Sequence, residues 1–152
     1  MAEGTSNANE ADAFSRKAVG WALQPSLDAS LAVTALDQAL AARKPARHSL
    51  IHHSDRGVQY ASMVYRQRLS EHAVTVSMSR PGNPFDNAKA ESFMKTLKTE
   101  EINARSFKTI DDARIRINDF IANIYNTERL HSALGYRSPL EFEAVFAQTK
   151  TN

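Results

Sequence analysis

Cysteine is missing from all 152 residues, so disulfides and thiolate metal sites are excluded. Missing too is any apolar run near the roughly 20 residues that a membrane-spanning helix needs, and no signal-peptide core follows the start. A cytoplasmic protein is the default expectation. There is no large excess of charge: 19 Lys plus Arg against 17 Asp plus Glu leave a net of +2, too little to argue for nucleic acid by itself. Internal repeats are absent as well. What is present is a globular composition, 42% hydrophobic and 24% charged, in a chain long enough for one domain and too short for two.

The charge that exists is unevenly spread. From Arg43 to Arg80 there are seven basic residues and only two acids, Asp55 and Glu71. A solvated face is the bland account of that bias. The opening MAEGTSNANE is small and polar with nothing to bury, so residues 1–11 are expected to form a disordered lead-in. The domain is then expected over 12–147, with a short tail over 148–152.

Periodicity predicts alternating strands and helices. KAVGWAL (17–23) has the pattern of a strand stopped at Gln24-Pro25. Ser26 offers a cap and Asp28 an acid for a helix carrying Ala29, Val33, Leu36 and Leu40, ending before Pro45. Ser49 to His53 reads as a buried strand, Ser62 to His72 as a short helix with Tyr65 and Leu69 one turn apart, and Val74 to Met78 as a strand. SRPGNPFDN (79–87) is a loop by its prolines, glycine and asparagines, and Asp86 is placed to cap the helix after it. A long helix opening at Thr109 sets Ala113, Ile117, Phe120 and Ile124 on one face, and Ser138-Pro139 starts a short last helix. Trp21, Phe120 and Ile124 read as core. This alternation points to an α/β layer fold with a largely parallel sheet.

Two acids stand out. Asp55 follows the strand in IHHSDRGVQYAS (51–62), and Glu91 shares a helical stripe with Lys95 and Lys98 in NAKAESFMKTLK (87–98), opposite Ala90, Phe93 and Leu97. By itself Glu91 is accounted for by an i,i+4 pair with Lys95 worth a few tenths of a kcal/mol. Residues 56 to 90, thirty-five of them, separate the two acids, enough for a helix, a strand and a loop that return Glu91 to the end of the Asp55 strand.

The blocks DAFSRKAVGW (12–21), HHSDRGVQYAS (52–62), SMSRPGNPFDNAKAESFMKTLKTE (77–100) and YNTERLHSALGYRSPLEF (125–142) resemble, in order and spacing, the insertion-sequence transposases related to retroviral integrases. The resemblance covers roughly residues 12–146 and implies a ribonuclease-H-like mixed sheet flanked by helices. It implies DNA strand cleavage and transfer at two aspartates and a glutamate, of which Asp55 and Glu91 would be two. Such chemistry places charge on attacking and leaving oxygens, which two Mg²⁺ (or Mn²⁺) ions about 3.5–4 Å apart stabilise, and hard cations take carboxylate oxygen. The resemblance further implies DNA contacts from Lys95, Lys98, Arg80, Arg129 and His131. Phosphate contacts of this kind position the backbone without reading sequence.

The pattern is departed from at one place. The family's first aspartate lies on an opening strand upstream of the segment matched by Asp12, and here that region is MAEGTSNANEA, with no strand pattern. The expectation is therefore an amino-terminally truncated core, lacking the first catalytic aspartate and most of the first two strands, impaired in catalysis and inclined to exchange elements with another copy. The family's helix-turn-helix segment is expected to be absent too. Two other readings are weighed against it. One is a zinc hydrolase using His53, Asp55 and either His72 or His131, whose spacings are not diagnostic. The other is a non-catalytic derivative that binds DNA, a second copy or a full-length transposase. His52 is expected to be packed or hydrogen-bonded, and a polar surface loop accounts for Arg129 and His131 as well as DNA does.

Overall fold

Asp12 closes the first hairpin. Its backbone N–H donates to the Lys17 carbonyl (2.8 Å), while its Oδ1 accepts from the N–H groups of Phe14 (2.8 Å) and Ser15 (3.1 Å), a side-chain turn that Asp forms readily. The computed structural model, which describes residues 6–25, 29–54, 62–78, 88–102 and 106–150, builds from that turn. Strand β1 (Ser6–Ala11) pairs antiparallel with β2 (Ala18–Gln24), from Ser6 opposite Gln24 to Glu10 opposite Gly20, with an irregularity at Ala11. Helix α1 (Ala29–Arg43) follows, then β3 (Ile51–Ser54), α2 (Met63–Glu71) and β4 (Thr75–Met78). β3 and β4 are parallel, Ile51 facing Thr75 and Ser54 facing Met78. Helix α3 (Ala88–Leu97) runs into a π-helical turn (Lys98–Ile102). Helix α4 (Ile110–Asp119) likewise continues as π-helix (Phe120–Tyr125), and α5 (Pro139–Lys150) ends the described chain.

The mixed α/β architecture is as expected, but the expected largely parallel sheet is not formed among the described residues, one strand pair being antiparallel and the other parallel, and three elements differ from expectation. Ser6–Ala11 is a strand, which corrects the disordered lead-in through residue 11. Its residues carry little strand propensity, but β2 supplies the ladder, small Ala8 packs with Ala22, Leu31 and Ala35, and Asn9 and Glu10 have partners across the fold. The opening strand pattern was therefore set by its neighbours rather than by its own composition. β3 is buried on one face only: His52 and Ser54 are inside, whereas Ile51 is 68% exposed. The expected helical face of α4 holds for Ala113, Ile117 and Phe120. It fails at Ile124, 37% exposed, because the π-helical turn adds a residue and brings Ile121 and Tyr125 inward instead. The Ser26 and Asp86 caps and the 79–87 loop lie outside the described residues.

Caps fix the other helix starts. Ser62 Oγ accepts from Tyr65 N–H (3.2 Å), Thr109 Oγ1 from Asp112 N–H (3.1 Å), and Ser138 and Glu141 exchange bonds of 3.3 and 3.0 Å as a capping box. The helices form two layers. On one side of the strands α1 and α2 bury Leu36, Leu40, Tyr65, Leu69 and Val74. On the other, α3 and α4 bury Phe93, Leu97, Ile117, Phe120 and Tyr125 against Ala18 and Leu23 of β2. No helix of the described residues is long and apolar enough to cross a membrane.

β2 touches α1 at Gly20. A Cβ built there would lie 2.1 Å from the Ala35 carbonyl oxygen and 2.9 Å from the Ala39 nitrogen, both helix backbone that has no rotamer to yield. Gly20→Ala is expected to cost about 2–3 kcal/mol by forcing α1 off the strand, seen as a lower midpoint in urea unfolding. An unchanged midpoint would mean that α1 sits farther from β2.

Candidate active site

The four strands do not form one sheet. β1 bonds only to β2 and β3 only to β4 among the described residues. Between the two pairs lies a cavity of about 970 Å³, lined by β1 (Ala8–Ala11), β3 (Ile51–Ser54), Leu36 and Leu40 of α1, and Glu91 and Phe93 of α3. The pairs are bridged on the α2 side. Tyr65, fully buried, donates its hydroxyl proton to Glu10 Oε1 (2.6 Å) and lies 2.7 Å from His52 Nε2, which is itself 3.2 Å from Glu10 Oε2. His52 is thus packed and hydrogen-bonded as expected. Sequence reasoning missed Glu10 and Tyr65, because nothing in the spacing of residues 10, 52 and 65 joins them.

Glu91 stands in the first turn of α3, exposed, at the wall of this cavity, and β3 ends at the same cavity with Ser54. Asp55, the next residue, lies outside the described residues, as does Arg80. Phe93 and Leu97, on the opposite side of α3, are anchored in the core, so the Glu91 stripe faces outward as its spacing predicted. The simple pair with Lys95 is not formed: among the described residues neither Glu91, Lys95 nor Lys98 has a partner, and both lysines are exposed.

The other acids at the cavity are committed. Glu10 is held by Tyr65 and His52. Asp12 caps its turn and accepts from Arg43 Nη2 (3.2 Å). Arg43 also pairs with Glu143 of α5, and Ser15 Oγ donates to Glu143 Oε1 (2.6 Å) with Lys17 Nζ 3.9 Å away. Beside this cluster Phe14 packs edge-on against Phe142 and Phe146, centroids 4.9 and 4.8 Å apart. Burial alone would raise the Glu143 pKa. The hydrogen bonds from Arg43 and Ser15 and the charges of Arg43 and Lys17 outweigh it and hold the carboxyl below its ordinary value.

Arg129 and His131 are set apart from Glu91 by their own contacts. Arg129 pairs with Glu100, and the His131 ring meets Tyr125 edge-on at 5.4 Å. Burial, then the charges of Arg129 and Arg16, lowers the His131 pKa, so its ring is neutral at neutral pH. His72 Nδ1 bonds to the Arg68 carbonyl (2.9 Å) and His53 Nδ1 to Ser77 Oγ (3.0 Å). Among the described residues no three His, Asp or Glu side chains are gathered to hold a metal ion. Within the same terminal block Asn126 accepts from Ala18 N–H (2.9 Å) and donates to the Ala18 carbonyl (3.0 Å), tying that loop to β2.

Two family models, both described as integrase core domain, match residues 9–84 and 72–139. The chain belongs to the integrase core family. Its curated relatives include the transposase for insertion sequence element IS904 of Lactococcus lactis, 45% identical over 87% of this chain and 52% of that protein. The Escherichia coli transposase InsF for insertion sequence IS3A is 40% identical over 87% of this chain and 46% of its own length. The chain thus spans about half the length of the curated relatives it matches. Among solved structures, the catalytic core domain of BIV integrase superposes with a TM-score of 0.69 at 17% identity, over 99% of this chain and 92% of that one. The HTLV-2 integrase catalytic core in complex with magnesium, in a trimeric form, gives 0.62 at 12% identity over 91% and 92%. At those identities the likeness establishes the fold.

For this integrase core the Glu143 cluster makes a pH prediction. A depressed carboxylate stabilises the fold above the unfolded pKa and loses that contribution as pH falls through the lower folded value. Glu143→Gln is therefore expected to cost about 1–2 kcal/mol near pH 7. The deficit should shrink below the ordinary value of 4.5. Urea titrations at pH 7 and pH 3 check this; a deficit of the same size at both would remove the charge argument.

Proposed function

We propose that this chain is the catalytic-core part of a DNA transposase, in which Asp55 and Glu91 hold divalent metal and Lys95 and Lys98 steer DNA phosphate to it. The observation that carries the reading is the convergence of Glu91 with the end of β3 on one cavity, one residue short of Asp55. Glu91 has no partner among the described residues, while Glu10 and Asp12, the other acids at that wall, are engaged. An exposed carboxylate beside unpaired lysines suits a hydrated Mg²⁺ or Mn²⁺ that keeps positions for phosphate oxygen. When bound, the metal supplies charge stabilisation for attacking and leaving oxygens. Arg80 belongs to the same proposed DNA surface. Arg129 and His131 contribute less to it, the first being paired and the second neutral. Such an enzyme would work in the cytoplasm, where a bacterial chromosome lies.

The family resemblance implies three carboxylates, of which Asp55 and Glu91 are the two proposed here. The divided sheet favours a second reading, a non-catalytic chain that binds DNA or associates with another copy or with a full-length transposase. Calorimetric titration with Mn²⁺ separates the two. Under the metal reading Asp55→Asn and Glu91→Gln each weaken binding at least roughly ten-fold; affinity untouched by either change would leave only the second.

DNA affinity tests the lysines under both readings. Changing Lys95 and Lys98 together to Ala should weaken duplex binding and lower the slope of log affinity against log salt by about 2, near 0.9 for each lost phosphate contact. A slope that does not move would place the DNA surface elsewhere.

A further inference from the structure

Arg16 ends the turn that closes the first hairpin. Its N–H donates to the Asp12 carbonyl (2.8 Å), and its backbone is left-handed, with φ at 62°. In an L-residue that conformation crowds Cβ against the following carbonyl, so such positions favour Gly or Asn. A residue held there against its own preference points to a use for its side chain. That use is not packing of the turn. Asp12, Phe14, Ser15 and Lys17 all engage Arg43 or α5, whereas the half-buried Arg16 guanidinium has no partner among the described residues.

The turn lies beside the proposed DNA surface. Lys89 Nζ donates to the Ala13 carbonyl (3.0 Å), which sets the turn against the start of α3, and Arg16, Glu91 and Lys98 line one cavity. Asn126 bonds both backbone groups of Ala18, two residues on, so the turn also abuts the terminal block that carries Arg129 and His131. Neither of those offers a free charge. Arg129 pairs with Glu100, and burial, followed by the charges of Arg129 and Arg16, keeps His131 neutral.

We infer that Arg16 is a DNA-phosphate contact of this integrase core, extending the Lys95–Lys98 stripe over the hairpin turn toward the terminal block. The turn is pinned by Asp12 and Asn126, so the guanidinium is held near its place before DNA arrives. Its planar fork of donors suits phosphate oxygen. A contact of this kind adds affinity and orientation without sequence preference. The assignment rests on the DNA reading above and not on metal.

The test measures binding of the whole chain to a fluorescent DNA duplex over a range of salt concentrations, beside urea unfolding of the same variants. Arg16→Gly relieves the backbone and removes the charge. It should leave the urea midpoint unchanged or higher, yet weaken binding about ten-fold at roughly 50 mM salt and lower the slope of log affinity against log salt by about 0.9. Arg16→Asn, which also tolerates the left-handed region, should do the same. Arg16→Lys keeps the charge and should bind within roughly three-fold of the unaltered chain. A salt slope unmoved by the Gly and Asn changes would overturn the assignment. So would a midpoint lowered by both, which would make Arg16 a residue of the fold, or a Lys variant that binds as weakly as the Gly one. If the unaltered chain binds no duplex, this assignment and the Lys95–Lys98 reading fall together; if binding responds to the two lysines but not to Arg16, only this assignment falls.

Discussion

Glu91 and the end of β3 stand on different elements, and what joins them is the close contact of β2 with α1 at Gly20. α3 is anchored in the cluster that includes Ala18 and Leu23 of β2. β2 passes the constraint to α1 through Ala22, Leu31 and Ala35. α1 passes it to α2 and β4 through Leu36, Leu40, Tyr65, Leu69 and Val74. Each step is side-chain packing at interior density, which tolerates little shift. The β2–α1 step is the tightest, because strand and helix backbone meet where any side chain would intrude.

The blocks that carry the family resemblance are largely about holding that frame. Asp12, Phe14 and Ser15 from the first block engage Phe142, Glu143 and Phe146 at the other end of the chain, through the aromatic contacts and the Arg43 cluster. Asn126, from the last block, makes a two-point bond to the backbone of Ala18. Gly135 takes the left-handed conformation (φ 64°) that ends the turn at Ser132–Leu134. A match in those blocks therefore speaks first to fold. Glu91, Lys95 and Lys98 are among the side chains of those blocks that have no partner among the described residues.

How much of this was legible depends on the range of the interaction. Ser62, Thr109 and the Ser138–Glu141 box were readable as helix starts because capping is local, and Phe93 and Leu97 as core because their spacing is helical. β1 was not readable: SNANEA gains its strand from β2, and Glu10 gains its place from Tyr65, 55 residues away. Nor was the exposure of Ile124, since a π-helical turn changes phase without a residue type that announces it. The convergence of β3 with Glu91 was expected from a resemblance, not from periodicity, because packing over such separations leaves no periodic trace.

The division of the strands bears on chemistry as well as on stability. A metal site needs its carboxylates held to fractions of an ångström by the elements behind them. β3 belongs to one strand pair and is braced by α2, whereas α3 is braced against the other pair. Across the cavity the described polar link is the Glu10–His52–Tyr65 bridge, made by side chains on the α2 layer, while Glu91 lies on the α3 layer. The bridge therefore fixes the two pairs at one face, whereas on the Glu91 face the described polar contacts tie α3 to the first pair alone, Asn9 Nδ2 donating to Met94 Sδ (2.8 Å) and Lys89 Nζ to the Ala13 carbonyl (3.0 Å). A continuous ladder would fix both faces together, since backbone bonds lie in the plane of the sheet between them.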